Sequence, residues 1–296
     1  MSHKAVLLQE AIDALNLFTG AIFLDATVGS GGHASEVCNR FRGVVRVIGL
    51  DADPERIEHA KKVLLEKECP AELVNENFRN LDQVLKRLGV EKVNAILFDL
   101  GLNSEQLEQS GRGFSFQHDE PLYMTFAAPE VGKLTAQEIV NHYDEDEIAD
   151  TIYELGEEKY SRRIAAAIVE VRKKNPIQTT FQLVEILKGA LPKNYERGRL
   201  HVATRTFQAL RLAVNDELGA LQEGLAKGFG ALAPKGRMAV ISFHSLEDRI
   251  VKVFFREKAH TDEAVLITKK PLYPTEDETR ENPRARSAKL RIIEKI

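Results

Sequence analysis

The stretch Leu24-Asp-Ala-Thr-Val-Gly-Ser-Gly-Gly-His33, set between an apolar run and a segment with helical spacing, constrains this chain more than any other part of it. It reads as a strand, a glycine turn and the start of a helix. Gly29, Gly31 and Gly32 supply positions where the backbone can take positive φ and approach a ligand with no Cβ in the way. The order Gly29-Ser-Gly31-Gly-His-Ala34, with Asp51 about twenty residues on, also fits the dinucleotide fingerprint. A strand-to-helix turn with no ligand uses the same residues, so the turn by itself leaves three readings open.

The next segments repeat the same alternation. Residues 44–50 are β-branched and end on Asp51-Ala-Asp53-Pro54, where Asp53 caps a helix with Pro54 at its first position. That leaves Asp51 available to ribose hydroxyls, or as a solvated loop acid. Residues 71–74 make a third strand, with Phe78 at its C-terminal edge, placed either against an adenine ring or in the core. A helix over 81–88 is closed by Gly89. Residues 93–99 form the clearest strand, apolar until it ends on Asp99, and lead into Asn103 and Ser104. Four strand–helix alternations predict a doubly wound parallel α/β sheet, with ligands bound outside the C-terminal strand ends. Before the first strand, residues 6–17 carry the spacing of an amphipathic helix.

The pattern changes after Asp99. Residues 110–126 have no period and are rich in Gly, Ser, Asp and aromatics, as a functional loop would be. Helix starts then appear at Thr135-Ala-Gln-Glu138 and Asp144-Glu-Asp-Glu147, with a further amphipathic stretch over 179–187 and no strand from about 130 to 230. Residues 204–229 are expected to form one long helix returning the chain to the sheet. Residues 237–243 restore the strand pattern, Ser245-Leu-Glu-Asp248 starts the next helix, and 264–268 and 290–293 are candidate closing strands. The expected division is a discontinuous sheet domain, 1–112 with 211–296, and an all-α insertion over 113–210.

Composition narrows the partners. With 41 basic against 45 acidic residues, no overall positive field advertises a nucleic acid, so any such partner must use local patches. Residues 144–158 hold eight acids and no Lys or Arg, whereas 159–211 hold twelve Lys or Arg against three acids. Arg162, Arg163, Arg172, Lys173, Lys174, Arg197, Arg199, Arg205 and Arg211 are therefore candidate phosphate contacts, with a second cluster from Arg280 to Arg291, although charge runs also occur as solvated faces. Cys38 and Cys69 are far apart in sequence and form no C-x-x-C, which suggests neither a disulfide framework nor a zinc site. No metal is expected. The N-terminal apolar stretch is too short for a signal peptide and no later run reaches membrane-spanning length, so a cytoplasmic location is expected, with monomer or homodimer left open.

Six blocks in order resemble one family. They are Asp25-Ala-Thr-Val-Gly-Ser-Gly-Gly-His33, Asp99-Leu-Gly-Leu-Asn-Ser-Glu-Gln106, Gly111-Arg-Gly-Phe-Ser-Phe116, Ala203-Thr-Arg-Thr-Phe-Gln208, Ser242-Phe-His-Ser-Leu-Glu-Asp-Arg249 and Asn282-Pro-Arg-Ala-Arg-Ser287. Together they are similar to the motifs of the bacterial ribosomal RNA small-subunit cytosine-N4 methyltransferases. The resemblance implies a class I, Rossmann-like methyltransferase fold with an inserted helical domain. It implies S-adenosylmethionine as donor, 16S rRNA in the small ribosomal subunit as partner, and the N4 amine of a decoding-region cytidine as target. Carried onto this chain, the cofactor positions are Gly31, Gly32, His33, Asp51, Phe78, Asp99 and Gln106. Two departures fall outside the cofactor motifs: Asp119-Glu-Pro-Leu-Tyr123-Met-Thr-Phe126 replaces a loop that usually carries two more acids and an Arg, and Val202 stands where the family has Pro.

The chemistry asks for placement. A cytosine amine is a weak nucleophile, so the site must align it with the methyl–sulfur bond and accept its N–H hydrogens. Asp99, Asn103 and Ser104 are the candidate catalytic residues, and Asn103 and Ser104 equally suit loop capping. Arg197, Arg199 and Arg205, together with Ser242 and His244 at the end of the fifth strand, are the candidate RNA contacts. Two rival functions remain, an RNA-binding assembly protein that keeps the cofactor fold without turnover and a nicotinamide-dependent oxidoreductase.

Overall fold

Seven strands pair in the order β3-β2-β1-β4-β5-β7-β6: β1 Ile22–Asp25, β2 Arg46–Asp51, β3 Ala71–Asn75, β4 Val93–Asp99, β5 Leu232–Ser242, β6 Ala264–Leu266 and β7 Lys289–Lys295. The first five run parallel, and β7 enters antiparallel between β5 and β6. This computed structural model describes residues 5–102, 106–107, 110–127, 132–192, 195 and 201–296. Asn103, Ser104, Arg197 and Arg199 lie outside the described residues. The chain divides into two compact units, 1–101 with 218–296, and 102–217.

In the first unit the strands are apolar because both faces are covered. One face packs Phe23, Val47, Ala95, Leu97, Ala239 and Ile241 against Ala11, Val37 and Ile57 of helices α1 (Leu8–Ala14), α2 (Gly32–Phe41) and α3 (Pro54–Glu66). The other packs Leu24, Ile48, Ile96, Phe98 and Val240 against α4 (Leu81–Arg87) and later helices. Burying each large side chain contributes about 1.5–3 kcal/mol, which accounts for the long uninterrupted apolar runs. This is the doubly wound parallel arrangement the strand–helix alternation predicts, with every parallel strand ending on the same edge. Asp53 caps α3 as its sequence suggests, accepting the Glu55 N–H at 3.0 Å, with Pro54 at the first helical position.

In the second unit the regular elements among the described residues are all helices: α5 Ala136–His142, α6 Glu145–Gly156, α7 Ser161–Arg172, α8 Thr180–Ala190 and α9 Thr204–Asn215. Its own core gathers Ile139, Ile148, Ile152, Ile164, Ile168, Leu183, Leu187 and Leu210. Thr135, Asp144 and Thr179 cap their helices, the last two in reciprocal capping boxes with Glu147 and Gln182.

Three expectations are corrected. The single helix over 204–229 is two, α9 and α10 (Glu217–Ala231), because Asp216 takes a left-handed φ of 45°. Arg211 grips Glu217 through two hydrogen bonds of 2.8 and 3.1 Å across the break, and Asn215 donates to the Met124 carbonyl. Apolar spacing continues on both sides, so the period alone hides the corner. Second, α11 (Ser245–His260) is capped by His244 rather than Ser245: His244 accepts the Glu247 N–H while the Glu247 carboxylate accepts the Phe243 and His244 N–H groups. Third, Cys38 and Cys69 are joined by a disulfide, with Cα atoms 5.6 Å apart. The side-by-side packing of α2 and α3 brings the end of one to the turn after the other, which sequence separation does not reveal.

Candidate cofactor site

Three strand ends converge on the glycine turn, and the turn's own backbone ties them together. Ala26 N–H donates to the Leu97 carbonyl of β4 and Val28 N–H to the Leu50 carbonyl of β2, so the turn continues the sheet on both sides. Asp51 anchors it from β2, accepting the Gly29 N–H at 3.0 Å and the Asp53 N–H at 2.8 Å. Thr27 Oγ1 accepts the Asp99 N–H at 2.6 Å, and Thr27 N–H donates to Asp25 at 3.3 Å. Gly31 sits at φ 80° as the residue preceding α2 and, having no side chain, offers no cap to the N–H groups of that helix. A Cβ on Gly31 would point at Leu64, 3.4 Å away. The requirement for glycine there is thus the left-handed backbone that turns the chain into α2.

Acids dominate the convergence. Asp25 is 1% exposed, and burial pushes its carboxyl up to about 7; the Thr27 N–H opposes this and the nearby Asp51 adds to it. Burial likewise raises Asp51 to about 6, against the N–H groups of Asp53 and Gly29. Asp99 is held well above the ordinary carboxylate range, first by burial and then by the charges of Asp25 and Glu247. Its side chain is 22% exposed, so a ligand can reach it, yet Oδ1 is shut from solvent without a hydrogen bond, as is Oδ2 of Asp25. His33, 4% exposed, places Nε2 3.3 Å from the Val6 carbonyl and Nδ1 3.7 Å from Asp99 Oδ2. With Nε2 donating to Val6, a proton carried by Asp99 faces the Nδ1 lone pair.

The structure thus brings Gly31, Gly32, His33, Asp51 and Asp99 together. Phe78, in a short 3-10 turn after β3, packs edge-on against Phe98 with centroids 5.5 Å apart, and Gly224 leaves room for its ring, since a Cβ there would lie 2.7 Å from it. Gln106 belongs to the second unit and is buried there. Sequence reasoning missed Asp25 and Glu247 as members of the site. Asp25 had a signal, an acid closing an otherwise apolar strand; Glu247 had none, because its burial depends on how α11 seats at the end of β5.

The polar residues at the end of β5 have internal partners. Ser242 is 2% exposed with Oγ 3.5 Å from the Lys289 carbonyl, and His244 caps α11 with Nε2 3.1 Å from Glu247. The basic candidates are also engaged: Arg162 with Asp146 and Asp150, Arg172 with the Val140 carbonyl, Arg205 with the Glu157 carbonyl, and Lys289 and Arg291 with Asp248. Among the described residues no group of His, Cys, Asp or Glu is arranged to hold a metal ion, and no helix is long and apolar enough to cross a membrane.

The site can accept a ligand that offers hydroxyls to Asp51 and positive charge to Asp25 and Asp99. Against known proteins, the model of the MraW methylase family matches residues 1–296. The chain is 47% identical over 297 residues to ribosomal RNA small subunit methyltransferase H of Kosmotoga olearia, covering 100% of this chain and 98% of that one. It is 45% identical over 311 residues to the protein of that name from Acetivibrio thermocellus, with 99% of each chain covered. A third, from Brevibacillus brevis, is 43% identical over 309 residues, 99% of this chain and 98% of the other.

Proposed function

This chain belongs to the MraW methylase family, and on that footing we propose that it methylates the exocyclic N4 amine of a cytidine in the decoding region of small-subunit ribosomal RNA, using S-adenosylmethionine. The observation that carries the donor half of this reading is the pair of unpartnered buried oxygens on Asp25 and Asp99 beside an uncapped glycine turn. A cationic nucleoside supplies the charge those acids lack and the hydroxyls that Asp51 can accept. A nicotinamide dinucleotide would instead bring a pair of phosphates into a site already lined by three carboxylates. The cofactor contributes an activated methyl group, and the protein's task is placement.

In the proposed site Gly31 and Gly32 bring backbone close to the donor, Asp51 accepts its ribose hydroxyls, and Phe78 lies against its adenine. The resemblance to the family also assigns Gln106 to the donor. Asp99, at the exposed rim of its strand, accepts a hydrogen of the target amine, turning the nitrogen lone pair toward the methyl group and taking the proton afterwards. Asn103 and Ser104 follow Asp99 in sequence and serve as further acceptors for the amine. Arg197, Arg199 and Arg205 contact phosphates of the RNA in this reading, and Ser242 and His244 flank the base. The helical insertion over 113–210 acts as the RNA-recognition part. Small ribosomal subunits lacking the modification, incubated with the protein and methyl-labelled S-adenosylmethionine, should gain label as N4-methylcytidine on nucleoside analysis. Donor binding without label in any subunit or RNA preparation would favour the assembly-protein alternative.

A further inference from the structure

We propose that Asp25 and Asp99 form a charge gate, jointly protonated when no cation faces them and ionised against the sulfonium donor, so that the protein distinguishes the charged donor from its neutral thioether product by exchanging a proton. The proposal rests on the methyl-donor reading and adds to it how the site tells donor from product.

The geometry is specific. β1 and β4 are neighbours, with Asp25 opposite Leu97, so Asp99 lies just beyond it along the adjacent strand. Asp25 Oδ2 and Asp99 Oδ1 are both sealed from solvent without a hydrogen bond, and neither carboxylate has a Lys or Arg partner among the described residues. The groups that face them are mostly acids: Asp51 from β2 beside Asp25, and Glu247 from α11 beside Asp99. The exception is His33 of α2, whose Nδ1 lies 3.7 Å from Asp99. Asp51 in turn is close to Asp53 and Arg56. Two adjacent buried carboxylates cannot both stay ionised without a cation, so one or both hold a proton in the free protein. The same burial and crowding are what push Asp25 to about 7.

The cycle balances. Uptake of the donor expels a proton from the pair, because its positive sulfur replaces that proton as counter-charge. On transfer the nitrogen–carbon bond forms and the carbon–sulfur bond breaks, its electron pair staying on sulfur. The amine then loses a proton, which Asp99 takes. The pair has regained the proton it gave up and now faces a neutral thioether, so the extra electrostatic hold on the ligand is gone. Asp51 plays no part in the distinction, since donor and product carry the same ribose hydroxyls.

The test is calorimetry of S-adenosylmethionine and S-adenosylhomocysteine between pH 5.5 and 7.5, in buffers that differ in ionisation enthalpy. We expect close to one proton released per donor bound near pH 6 and clearly less for the product. The preference for donor over product should then fall by up to about tenfold for each pH unit below 7. Asp25→Asn should flatten that pH dependence while both ligands still bind. Should Asp25→Asn fail to fold, infrared difference spectra of the wild type decide, since donor but not product should remove a protonated-carboxyl band. Binding of both ligands with no proton exchange and a constant preference would overturn the gate alone. Failure of both ligands to bind at any pH would bring down the donor reading, and the gate with it.

Discussion

The two halves of the sheet treat their acids in opposite ways. At the ends of β1, β2 and β4 the carboxylates of Asp25, Asp51 and Asp99 gather with backbone N–H groups and one another for company. Around β5 and β7 the acids Asp248 and Glu294 have matched cations. Asp248 accepts from Arg291 at 2.7 and 3.2 Å and from Lys289 at 3.2 Å, and Glu294 accepts from Arg237 at 2.7 Å. Burial works to raise Asp248, but the hydrogen bonds from Arg291 and Lys289 outweigh it and hold the carboxyl below its usual range. A matched acid closes a fold. Buried acids left together without a cation are unfavourable for the fold, and such clusters are what functional sites are built from.

The largest expected effect comes from breaking the unmatched side. Asp25 titrates near 7 in the folded chain against 3.8 for the ordinary residue, so the folded state binds more protons between those values. Stability therefore falls as pH rises through that interval, by up to about 4 kcal/mol at about 1.4 kcal/mol per unit. Asp25→Asn should remove its share of the slope in urea melts of the ligand-free protein between pH 4 and 8, leaving the shares of Asp51 and Asp99. An unchanged slope would mean that Asp25 is matched after all. On the matched side, Asp248→Ala should cost about 2–3 kcal/mol by leaving the Arg291 guanidinium without its counter-charge. Its donor affinity should match the wild type, and a loss there would erase the contrast between the halves. The smallest effect is expected of His244→Ala, about 1 kcal/mol for a lost helix cap, seen as a modest drop in melting temperature with donor affinity unchanged. A large loss of donor affinity would move His244 into the site.

What was legible in the sequence was whatever is decided locally. Asp53-Pro54 and Asp144 with Glu147 declare helix starts because cap and partner lie within one turn. The apolar run ending on Asp99 declares a buried parallel strand, and the glycine turn declares the left-handed corner into α2. What failed was decided at a distance. Cys38 and Cys69 meet because two helices pack side by side, and Glu247 becomes a neighbour of Asp99 because α11 starts where β5 ends. The corner at Asp216 escaped because apolar spacing runs straight through it, with Leu210 and Leu212 before and Ala220 and Leu221 after. The capping role of His244 is also hidden in the sequence, where Ser245 offers the more usual cap, and both His244 nitrogens are seen to face Glu247 only once α11 is in place.

The place of β7 in the sheet carries a consequence for how the chain is made. β5 and β6 are not neighbours, because the later strand β7 lies between them, pairing Arg237–Ser242 on one side and Ala264–Leu266 on the other. A ribosome delivers β5 and β6 before the strand that joins them exists, so β6 has nothing to pair with until β7 has emerged. The nascent chain must therefore hold an apolar edge open while more than twenty residues are added, the interval in which a chaperone or another nascent chain can pair with it. Slowing translation between β6 and β7 should lengthen that exposure, whereas slowing it after β7 should not.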